Sequence, residues 1–429
     1  MMAVCLRRSY TVRMRVLVLG AGVAGITTAY CLAQDGHSVT LLDRNPGVAL
    51  ETSYANGGQL SYSYVAPLAG PDVLPKIPPW LLRRDSPLRF EPSFDFHQWR
   101  WCLEFMAACN QAQADLTMRR LLTLSFYSRG LMHRLVEDER LEFDYVRNGK
   151  LVVHTRSASF ESARRLLDYQ ASLGCEQQDL TAAACIALEP ALEHMRSRLV
   201  GGIYTPSEDA ADCYRFCTGL EQALQTRHAD RFELCLNTEA NRLLRWKDRI
   251  VGVETANGVI EADRYVLALG TMSPWLVRPL GIRLPIYPLK GYSLTLPVDE
   301  DCLSPRISIT DYQRKIVYAP LGSELRVAGM ADLAGYAARI DESRLDTLIN
   351  EVKAAFPRAS NFSQFKPWCG LRPATPKGTP ILGATPYPNL FLNVGHGALG
   401  FTLSMGSARI VADLIGGRTP AIPLDGFLL

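Results

Sequence analysis

The chain has 429 residues, of which 48% are hydrophobic and 21% are charged. This composition is typical of a globular protein and excludes disordered and fibrous classes. Lys and Arg number 46 against 43 Asp and Glu, and a net charge of +3 without long basic runs gives no electrostatic reason to expect a nucleic acid partner. No run of apolar residues approaches the 18 that predict a membrane-spanning helix.

Eleven cysteines occur without a single CxxC pair, a pattern that predicts buried, reduced thiols and a reducing compartment such as the cytoplasm. Cys213 and Cys217 lie one helical turn apart, but no second pair or nearby histidine completes a metal site, so we expect no metal. Arg7 and Arg8 resemble a twin-arginine export signal, yet the apolar stretch behind them is a glycine-rich loop rather than a cleavable segment. We expect residues 1–13 to be a disordered extension or a misassigned start.

The first elements in chain order form a β-α-β unit. Residues 15–19 (RVLVL) make a short β-branched run, which predicts a buried parallel strand. A helix is predicted over 26–34, with Gly36 behind it as a C-terminal cap, and a second strand is predicted over 38–42. Further along, the patterns predict two helices in 98–139, single helices over 157–173, 212–225, 345–356 and 403–414, strands over 150–154 and 390–394, an antiparallel meander over 232–269 and more strands over 286–330.

A glycine pattern, GxGxxG, lies between the first strand and the first helix. Gly20 allows a tight turn, Gly22 lets a pyrophosphate approach the backbone, and Gly25 lets the helix pack on the strand. Free backbone N–H groups at the start of the helix favour phosphate. Asp43 lies 18 residues after Gly25, where a carboxylate accepts hydrogen bonds from ribose hydroxyls. The residues predicted to bind a dinucleotide are Gly20, Gly22, Val23, Ala24, Gly25, Asp43 and Arg44.

A second glycine-rich loop, formed by Gly395, Gly397 and Gly400, precedes the last predicted helix. Only 29 residues follow it, too few for a second nucleotide domain. Such a loop can direct backbone N–H groups at a developing anion, and reduced flavin carries negative charge along its N1–C2=O edge. The two loops together favour FAD over NAD. The alternative for the second loop is a structural glycine turn between a strand and a helix.

Five stretches of the chain resemble the FAD-dependent D-amino acid dehydrogenases, within the wider glycine oxidase and D-amino acid oxidase class. They are 16–30 (VLVLGAGVAGITTAY), 49–61 (ALETSYANGGQLS), 287–296 (YPLKGYSLTL), 368–383 (WCGLRPATPKGTPILG) and 393–402 (NVGHGALGFT). The chain departs from the family pattern at Tyr62-Ser63-Tyr64, in the acidic loop Ser207–Asp212 and at Phe401.

Because the last strand and helix look like the first unit resuming, we predict an α/β fold with interleaved domains. It is an FAD-binding Rossmann-like domain interleaved with an α+β substrate domain built on an antiparallel sheet. The predicted boundaries are 14–61, 181–285 and 366–429 for the FAD-binding domain, and 62–180 and 286–365 for the substrate domain.

The resemblance implies non-covalent FAD and the oxidation of D-α-amino acids to 2-oxo acids with release of ammonia. Electrons would pass to a quinone or another respiratory electron-transfer partner rather than to NAD. Two alternatives stay open: an oxidase or dehydrogenase of glycine, sarcosine or cyclic imino acids such as hydroxyproline, and a structural flavoprotein subunit whose partner holds the substrate. The segment 78–84 (PPWLLRR) could rest on the inner face of the plasma membrane or be a packed loop.

The same resemblance implies roles for particular residues. Arg372, in the GLRP motif, is expected to bind the substrate carboxylate with its guanidinium fork. Tyr292 could hydrogen-bond that carboxylate or be a strand-face aromatic, and His396 could hydrogen-bond flavin or be a packed loop residue. Cys369 lies in the general region where sarcosine-oxidase relatives tether FAD, a covalent link that we do not expect. The further residues expected near FAD are Thr52, Ser53, Asn56, Gly58, Gly270, Gly395, Gly397, Gly400 and Thr402.

Overall fold

The structure is a computed structural model, and the residues it describes are 13–65, 67–71, 73–77 and 86–429. The predicted extension over 1–13 therefore lies outside the described residues except for Arg13, whose Nε donates to Ser38 Oγ at 2.9 Å. The segment 78–84, considered above for membrane contact, also lies outside them.

Strands and helices occur throughout the described residues. The strands are β1 (Arg15–Leu19), β2 (Ser38–Leu42), β3 (Gln59–Leu60), β4 (Leu88–Phe90), β5 (Lys150–His154), β6 (Gln178–Thr181), β7 (Gly201–Thr205), β8 (Asp209–Ala210), β9 (Phe232–Cys235), β10 (Arg242–Trp246), β11 (Arg249–Thr255), β12 (Gly258–Ile260), β13 (Arg264–Leu267), β14 (Tyr287–Pro297), β15 (Ser308–Asp311), β16 (Ile316–Leu321), β17 (Glu324–Leu333), β18 (Lys366–Ala374), β19 (Ile381–Ala384) and β20 (Leu390–Val394). The helices are α1 (Val23–Gln34), α2 (Phe96–Ala108), α3 (Gln111–Glu139), α4 (Ser157–Arg164), α5 (Leu167–Ser172), α6 (Ala182–Leu188), α7 (Cys213–Arg227), α8 (Ser273–Val277), α9 (Glu342–Ala355) and α10 (Gly400–Ile415). The single helix predicted over 157–173 is two helices, because the hydrogen bonding tightens at Leu166, whose N–H donates to Ala163 O three residues back.

The first large sheet is mostly parallel and contains the predicted β-α-β unit. Its strand order is β19-β20-β13-β1-β2-β9, and every neighbouring pair except β19–β20 is parallel. Val16 on β1 pairs with Val39 on β2 and with Arg264 on β13. Helices or strands cover both faces of this sheet, which is why β1 is an unbroken apolar run.

Alternate residues of β1 pack against different partners, as the twofold repeat of a strand requires. Val16 and Val18 face the helices α1, α7 and α10. Leu17 and Leu19 face the small antiparallel sheet β10-β11-β12. The meander predicted over 232–269 is therefore right for β10–β12 but wrong for β9 and β13, which join the parallel sheet.

The second large sheet has nine strands within the described residues, and most neighbours in it are antiparallel. Its order is β18-β14-β17-β16-β15-β5-β7-β6, with β4 beside β17. Only the pairs β5–β15 and β4–β17 are parallel. The predicted α/β architecture with a largely antiparallel second sheet is confirmed. The strands β7 and β18 belong to this sheet although both fall in ranges predicted for the FAD-binding domain, so the boundaries themselves stay predictions.

The stretch Gly397–Ile415, which contains α10, is long and apolar enough to cross a membrane by length and composition alone. Within the fold, 67% of its apolar window is buried, as in the core helix of a globular domain. The rule of 18 uninterrupted apolar residues did not identify this helix, because Arg409 and Asp413 as well as glycine, serine and threonine interrupt its apolar residues.

Candidate active site

A cavity of about 1190 Å³ lies at the carboxyl ends of the parallel strands β1, β2, β13 and β20, facing the strands β14, β17 and β18 of the second sheet. Parallel α/β sheets bind their ligands at this edge. The predicted residues that line the cavity are Gly20, Gly22, Val23, Ala24, Asp43, Arg44, Thr52, Ser53, Asn56, Gly58, Gly270, Tyr292, Arg372, Gly395, His396, Gly397 and Gly400. Two predicted residues, Gly25 and Thr402, are not part of the lining.

The glycines of the first loop have different reasons to be glycine. Gly20 has a φ of +101°, and a Cβ there would lie 2.7 Å from Ala268 O. A Cβ on Gly25 would collide with Gly20 O, so this residue lets the helix pack on the strand and does not reach the cavity. A Cβ on Gly22 would meet only Ser53 Oγ, at 3.5 Å. The fold itself therefore does not require glycine at position 22, whereas a ligand that lies against the backbone does.

The carboxylate of Asp43 is fixed at the end of β2. Its Oδ2 accepts a hydrogen bond from the Ala21 N–H at 2.7 Å, and its Oδ1 accepts from the Asn45 N–H at 2.9 Å. The neighbouring Arg44 donates from Nε to Glu51 Oε1 at 2.8 Å. Asp43, Arg44 and Glu51 therefore form a charged wall at this end of the cavity, and the fixed carboxylate of Asp43 is the kind of acceptor that ribose hydroxyls bind.

The segment after β2 is tied to both sheets. Ser53 Oγ accepts from the Val23 N–H at 3.0 Å, which satisfies one free donor at the start of α1. Thr52 Oγ1 donates to Leu371 O at 2.7 Å, and Asn56 Oδ1 accepts from the Gly58 N–H at 3.0 Å. These contacts use side chains that had been expected to face FAD, so their part in the site includes holding the segment in place.

The second glycine loop brings the start of α10 to the cavity. Gly397 has a φ of +57° and nothing within 4 Å of a Cβ, and α10 begins without a side-chain cap. A 3₁₀ turn, Gly397–Leu399, leads directly into α10 and lines the cavity, and the start of this continuous helix favours a negatively charged group. His396 is buried, with Nε2 3.1 Å from Ser407 Oγ, and burial lowers its pKa to about 4. This neutral, engaged imidazole fits the packed-residue alternative better than a role in proton transfer.

Arg372 lies on β18 at the opposite side of the cavity. Its Nη1 donates to Met330 O at 2.8 Å, and its guanidinium packs directly on Gly291, where a Cβ would collide with it. Burial lowers the pKa of this guanidinium, and the charge of Asp332 partly offsets that effect. No carboxylate among the described residues lies within 4 Å of it, so this cation faces the cavity without an ion-pair partner.

Asp332 organises the charges behind Arg372, and no sequence motif had marked it. This fully buried carboxylate pairs with Arg344 Nη2 at 2.6 Å and with Arg89 Nη2 at 3.2 Å. It also accepts a hydrogen bond from the hydroxyl of Tyr292 at 3.2 Å. Burial, followed by the Asp332 charge, raises the pKa of Tyr292. The hydroxyl of Tyr292 thus donates to the protein, and its ring packs in the apolar core of the second sheet, on the same face as its cross-strand partner Cys369.

A family model described as DAO, FAD dependent oxidoreductase, matches residues 15–414. The chain belongs to this family.

Several relatives of this flavoprotein are similar over almost their whole length. One is the D-amino acid dehydrogenase 2 of Ralstonia nicotianae, 54% identical over 97% of this chain and 100% of that protein. Another is the D-amino acid dehydrogenase 2 of Pseudomonas aeruginosa, 46% identical over 96% of this chain and 98% of that protein. Among solved structures, glycine oxidase from Geobacillus kaustophilus has a TM-score of 0.77 at 21% identity, covering 97% of this chain and 98% of that one. L-proline dehydrogenase from P. horikoshii has a TM-score of 0.74 at 16% identity, covering 97% and 96%. At these identities the structural likeness speaks for the fold alone.

FAD is the cofactor of the family, and the cavity of this flavoprotein fits it. Small-molecule pockets span roughly 300–1,000 Å³, and this cavity exceeds that range, as a dinucleotide requires. The unfilled space over Gly22 suits the pyrophosphate, Asp43 suits the ribose, and the uncapped start of α10 suits the polar edge of the flavin ring. These groups come from different parts of the chain and converge on one continuous cavity.

The thiol considered for a covalent link to FAD points away from the cavity. Gly370 and Arg372 line the cavity, whereas Cys369, between them on β18, packs against the apolar core of the second sheet. Burial raises the pKa of this thiol, so little thiolate is present at neutral pH. This geometry supports non-covalent FAD.

Sequence reasoning missed two parts of the cavity wall. One is aromatic: Trp99, Trp101 and Phe105 of α2 reach it. The other is basic: Lys150 lines the cavity from β5, which lies five places from β18 in the second sheet. The helical spacing of the aromatics indicated only a packed face, and an isolated lysine in a strand carries no signal.

Proposed function

We propose that this flavoprotein is a D-amino acid dehydrogenase that converts D-amino acids to 2-oxo acids and ammonia. The observation that carries the proposal is the unpaired guanidinium of Arg372, which faces a cavity of flavin size from the wall opposite the nucleotide loop. An α-amino acid offers the carboxylate that this cation lacks. The similarity to the D-amino acid dehydrogenases of Ralstonia nicotianae and Pseudomonas aeruginosa supports the D-configured substrate.

In the proposed reaction, Arg372 anchors the substrate carboxylate through paired N–H donors and so fixes the position of Cα. FAD, when bound, supplies the electron-accepting chemistry by taking the hydride from Cα. Asp332 does not line the cavity; it is a positioning residue that holds Tyr292 and the arginines behind the anchor. The apolar side chains of α2 help to keep water from the reacting groups.

The proton of the substrate ammonium must leave before the hydride does. The carboxylates that line the cavity are Asp43, Glu51 and Glu239, and Arg44 draws them together at the nucleotide end. Among the described residues, no lining carboxylate stands beside Arg372. We infer that the amine gives its proton to water and that the chain selects the neutral form.

The electron acceptor is proposed to be a quinone dissolved in the membrane. Helix α2 exposes Phe96, Trp99, Leu103 and Met106 at helical spacing on one face, with Phe96 77% and Leu103 63% exposed. We call these four residues the α2 stripe. Trp99, Leu103 and Met106 also line the cavity, so the stripe runs into its wall. An apolar surface of this kind suits peripheral contact with the inner face of the plasma membrane, from which an apolar acceptor could enter.

The proposed function is tested by anaerobic mixing of the FAD-loaded protein with a panel of D-, L- and N-methyl amino acids. We expect D-amino acids to bleach the flavin absorbance and their L-enantiomers to leave it unchanged. Bleaching by glycine, sarcosine or cyclic imino acids alone would select the alternative substrate class. No bleaching by any member of the panel would favour a scaffold subunit.

A further inference from the structure

Residues of the stretches 62–64 and 207–212 meet around one buried lysine. Lys150, on β5, is 2% exposed and lines the cavity. Its Nζ lies 4.4 Å from the ring centre of Tyr64, which belongs to the first of these stretches. The fully buried Glu208, in the second stretch, accepts from the Ser63 N–H at 2.6 Å, and its charge acts on Lys150. Burying a charged group is unfavourable, so a lysine this deeply buried is expected to have a structural or functional role.

Ser61 links the ammonium of Lys150 to the start of α10. Its Nζ donates to Ser61 Oγ at 2.7 Å, and the Ser61 N–H donates to Thr402 Oγ1 at 3.1 Å. Thr402 stands in the first turn of α10, and the adjacent Gly400 and Phe401 line the cavity. The start of a helix carries about half a positive charge. Two positive groups therefore border the same part of the wall.

The charge state of the cluster depends on the partners of the lysine. Burial lowers the pKa of Lys150 to about 8, and the negative charge of Glu208 opposes that shift. Burial raises the pKa of Glu208 to about 7, and Lys150 opposes that shift in turn. Glu208 and the Tyr64 phenol are the titratable groups that face Lys150. No ion pair within 4 Å joins Lys150 to Glu208 among the described residues, so the carboxylate does not neutralise the ammonium by direct contact.

We infer that Lys150 stabilises the negative charge that FAD acquires on reduction. A hydride brings two electrons and one proton, so an oxidised flavin that receives it gains one unit of negative charge. The start of α10 and the ammonium of Lys150 lower the free energy of that charged form through space. The inference rests on the flavin of the family and not on which amino acid is the substrate.

Three FAD-loaded variants test this role: Lys150→Gln keeps a donor for Ser61 without the charge, and Lys150→Arg keeps the charge. Lys366→Gln removes the same charge from a side chain that is 80% exposed. The readouts at pH 6.5 are the midpoint potential during dithionite reduction and the affinity for sulfite, which adds to oxidised flavin and leaves a negative charge on it. We expect Lys150→Gln to bind sulfite about tenfold more weakly. The same tenfold factor corresponds to a midpoint potential about 30 mV lower. Lys150→Arg and Lys366→Gln should match the parent.

A Lys150→Gln protein that retains FAD with the parent's potential and sulfite affinity would overturn the inference. If that variant does not retain FAD, Lys150→Met provides the same comparison. Dithionite and sulfite act without an amino acid, so the outcome does not depend on the proposed substrate. A protein inactive on D-amino acids could still show the shift, and an active one could lack it.

Discussion

Arg372 differs from the other arginines in the core by lacking a carboxylate partner among the described residues. Arg344 pairs with Asp332 at 2.6 Å, and Arg326 pairs with Asp212 at 3.1 Å. An unpaired cation in a partly buried position is unfavourable unless a ligand completes it. Since these other buried arginines have carboxylate partners, the unpaired guanidinium of Arg372 indicates where an anionic group of the substrate binds.

Replacing Arg372 by Ala should lower kcat/KM on D-alanine by about 100-fold or more. A hydrogen bond to a charged group contributes roughly 1.5–3 kcal/mol, and two such bonds would be lost. Steady-state kinetics with an artificial electron acceptor measure the change. Arg372→Lys should recover only part of the loss, because an ammonium cannot form the paired contact. FAD content should stay at the parent level in both variants, and unchanged kinetics would remove Arg372 from the site.

His154 should make the fold sensitive to acid. It is buried with Nδ1 3.0 Å from Ser159 Oγ, and burial, followed by the charge of Lys315, lowers its pKa to about 4. The unfolded chain has a His pKa of about 6.5, so between pH 6.5 and 4 it binds more protons than the folded chain does. The contribution of His154 to the free energy of unfolding is therefore fully present above pH 6.5. It is lost as the pH falls from 6.5 through 4, by up to about 3 kcal/mol.

The variant His154→Phe tests this prediction because it cannot be protonated and keeps a ring to stack on Tyr312. We expect its Tm to fall less than that of the parent between pH 7.0 and pH 4.5. The exposed control His194→Phe should follow the parent. Equal pH dependence in all three proteins would show that another group dominates acid unfolding.

Which residues could be found from sequence depended on whether they stand in a motif. Arg372 stands in a proline-rich stretch that resembles a family signature, so it could be named in advance. Asp332 and Lys150 stand in strands without a recognisable motif, and only the pairing of distant strands brings them to their partners. His396 stands in a glycine-rich motif and lines the cavity, yet its contact with Ser407 depends on the packing of α10.

At the level of elements, the β1–α1 turn should control FAD binding without affecting the fold. A side chain on Gly22 meets only Ser53 Oγ inside the protein but blocks the approach of the pyrophosphate. We expect Gly22→Val to fold and to lose most of its FAD, measured as the ratio of flavin to protein absorbance. Gly130→Val, on the exposed face of α3 with nothing within 4 Å of its Cβ, is the matched control. Full FAD occupancy in Gly22→Val would contradict the assignment of this turn.

The α2 stripe should be needed for the quinone and not for the chemistry. We expect the double variant Phe96→Ser, Leu103→Ser to reduce an artificial dye at the parent rate and a ubiquinone analogue in vesicles several-fold more slowly, because less apolar surface contacts lipid. It should also sediment less with vesicles of phosphatidylglycerol and phosphatidylethanolamine. Val259→Ser, an exposed apolar residue on β12, should behave as the parent. Equal vesicle binding by all three proteins would place the membrane contact elsewhere.

Local patterns identified elements better than they identified partners. The strands β2, β5 and β20 have the predicted bounds, because short apolar runs end at clear turns. The meander pattern could not show that β9 and β13 leave it for the parallel sheet, since the pairing partner of a strand is not a local property. The same limit applies to β7 and β18, which pair within the second sheet although both lie in ranges predicted for the FAD-binding domain.

For the molecule as a whole, the choice of acceptor separates a dehydrogenase from an oxidase. The described residues hold one dinucleotide loop that is followed by a strand and a carboxylate, so a second dinucleotide has no comparable site among them. We expect fast turnover with dyes or quinone analogues and slow formation of hydrogen peroxide in air. Peroxide production at the dye rate would make the protein an oxidase, while leaving the assignments of FAD and Arg372 intact.

The FAD itself should be released when the whole protein is denatured. Acid precipitation should leave yellow flavin in the supernatant, because the Cys369 thiol faces the core of the second sheet. Flavin that stays with the pellet would show a covalent link. The pellet could then be digested to locate the modified residue.

The order of strands in the parallel sheet also governs when the protein can mature during synthesis. β1 lies between β2 and β13, and β13 pairs on its other side with β20. Val16 therefore cannot pair with β13 until Arg264 has been synthesised, and Tyr265 cannot pair with β20 until Leu390 has been synthesised. A nascent chain on the ribosome therefore exposes an apolar strand edge until β20 has been synthesised, and that edge needs protection from aggregation. Because the loop at 395–400 follows the other parts of the cavity wall in the chain, a premature stop before residue 390 leaves a chain that lacks this side of the flavin cavity.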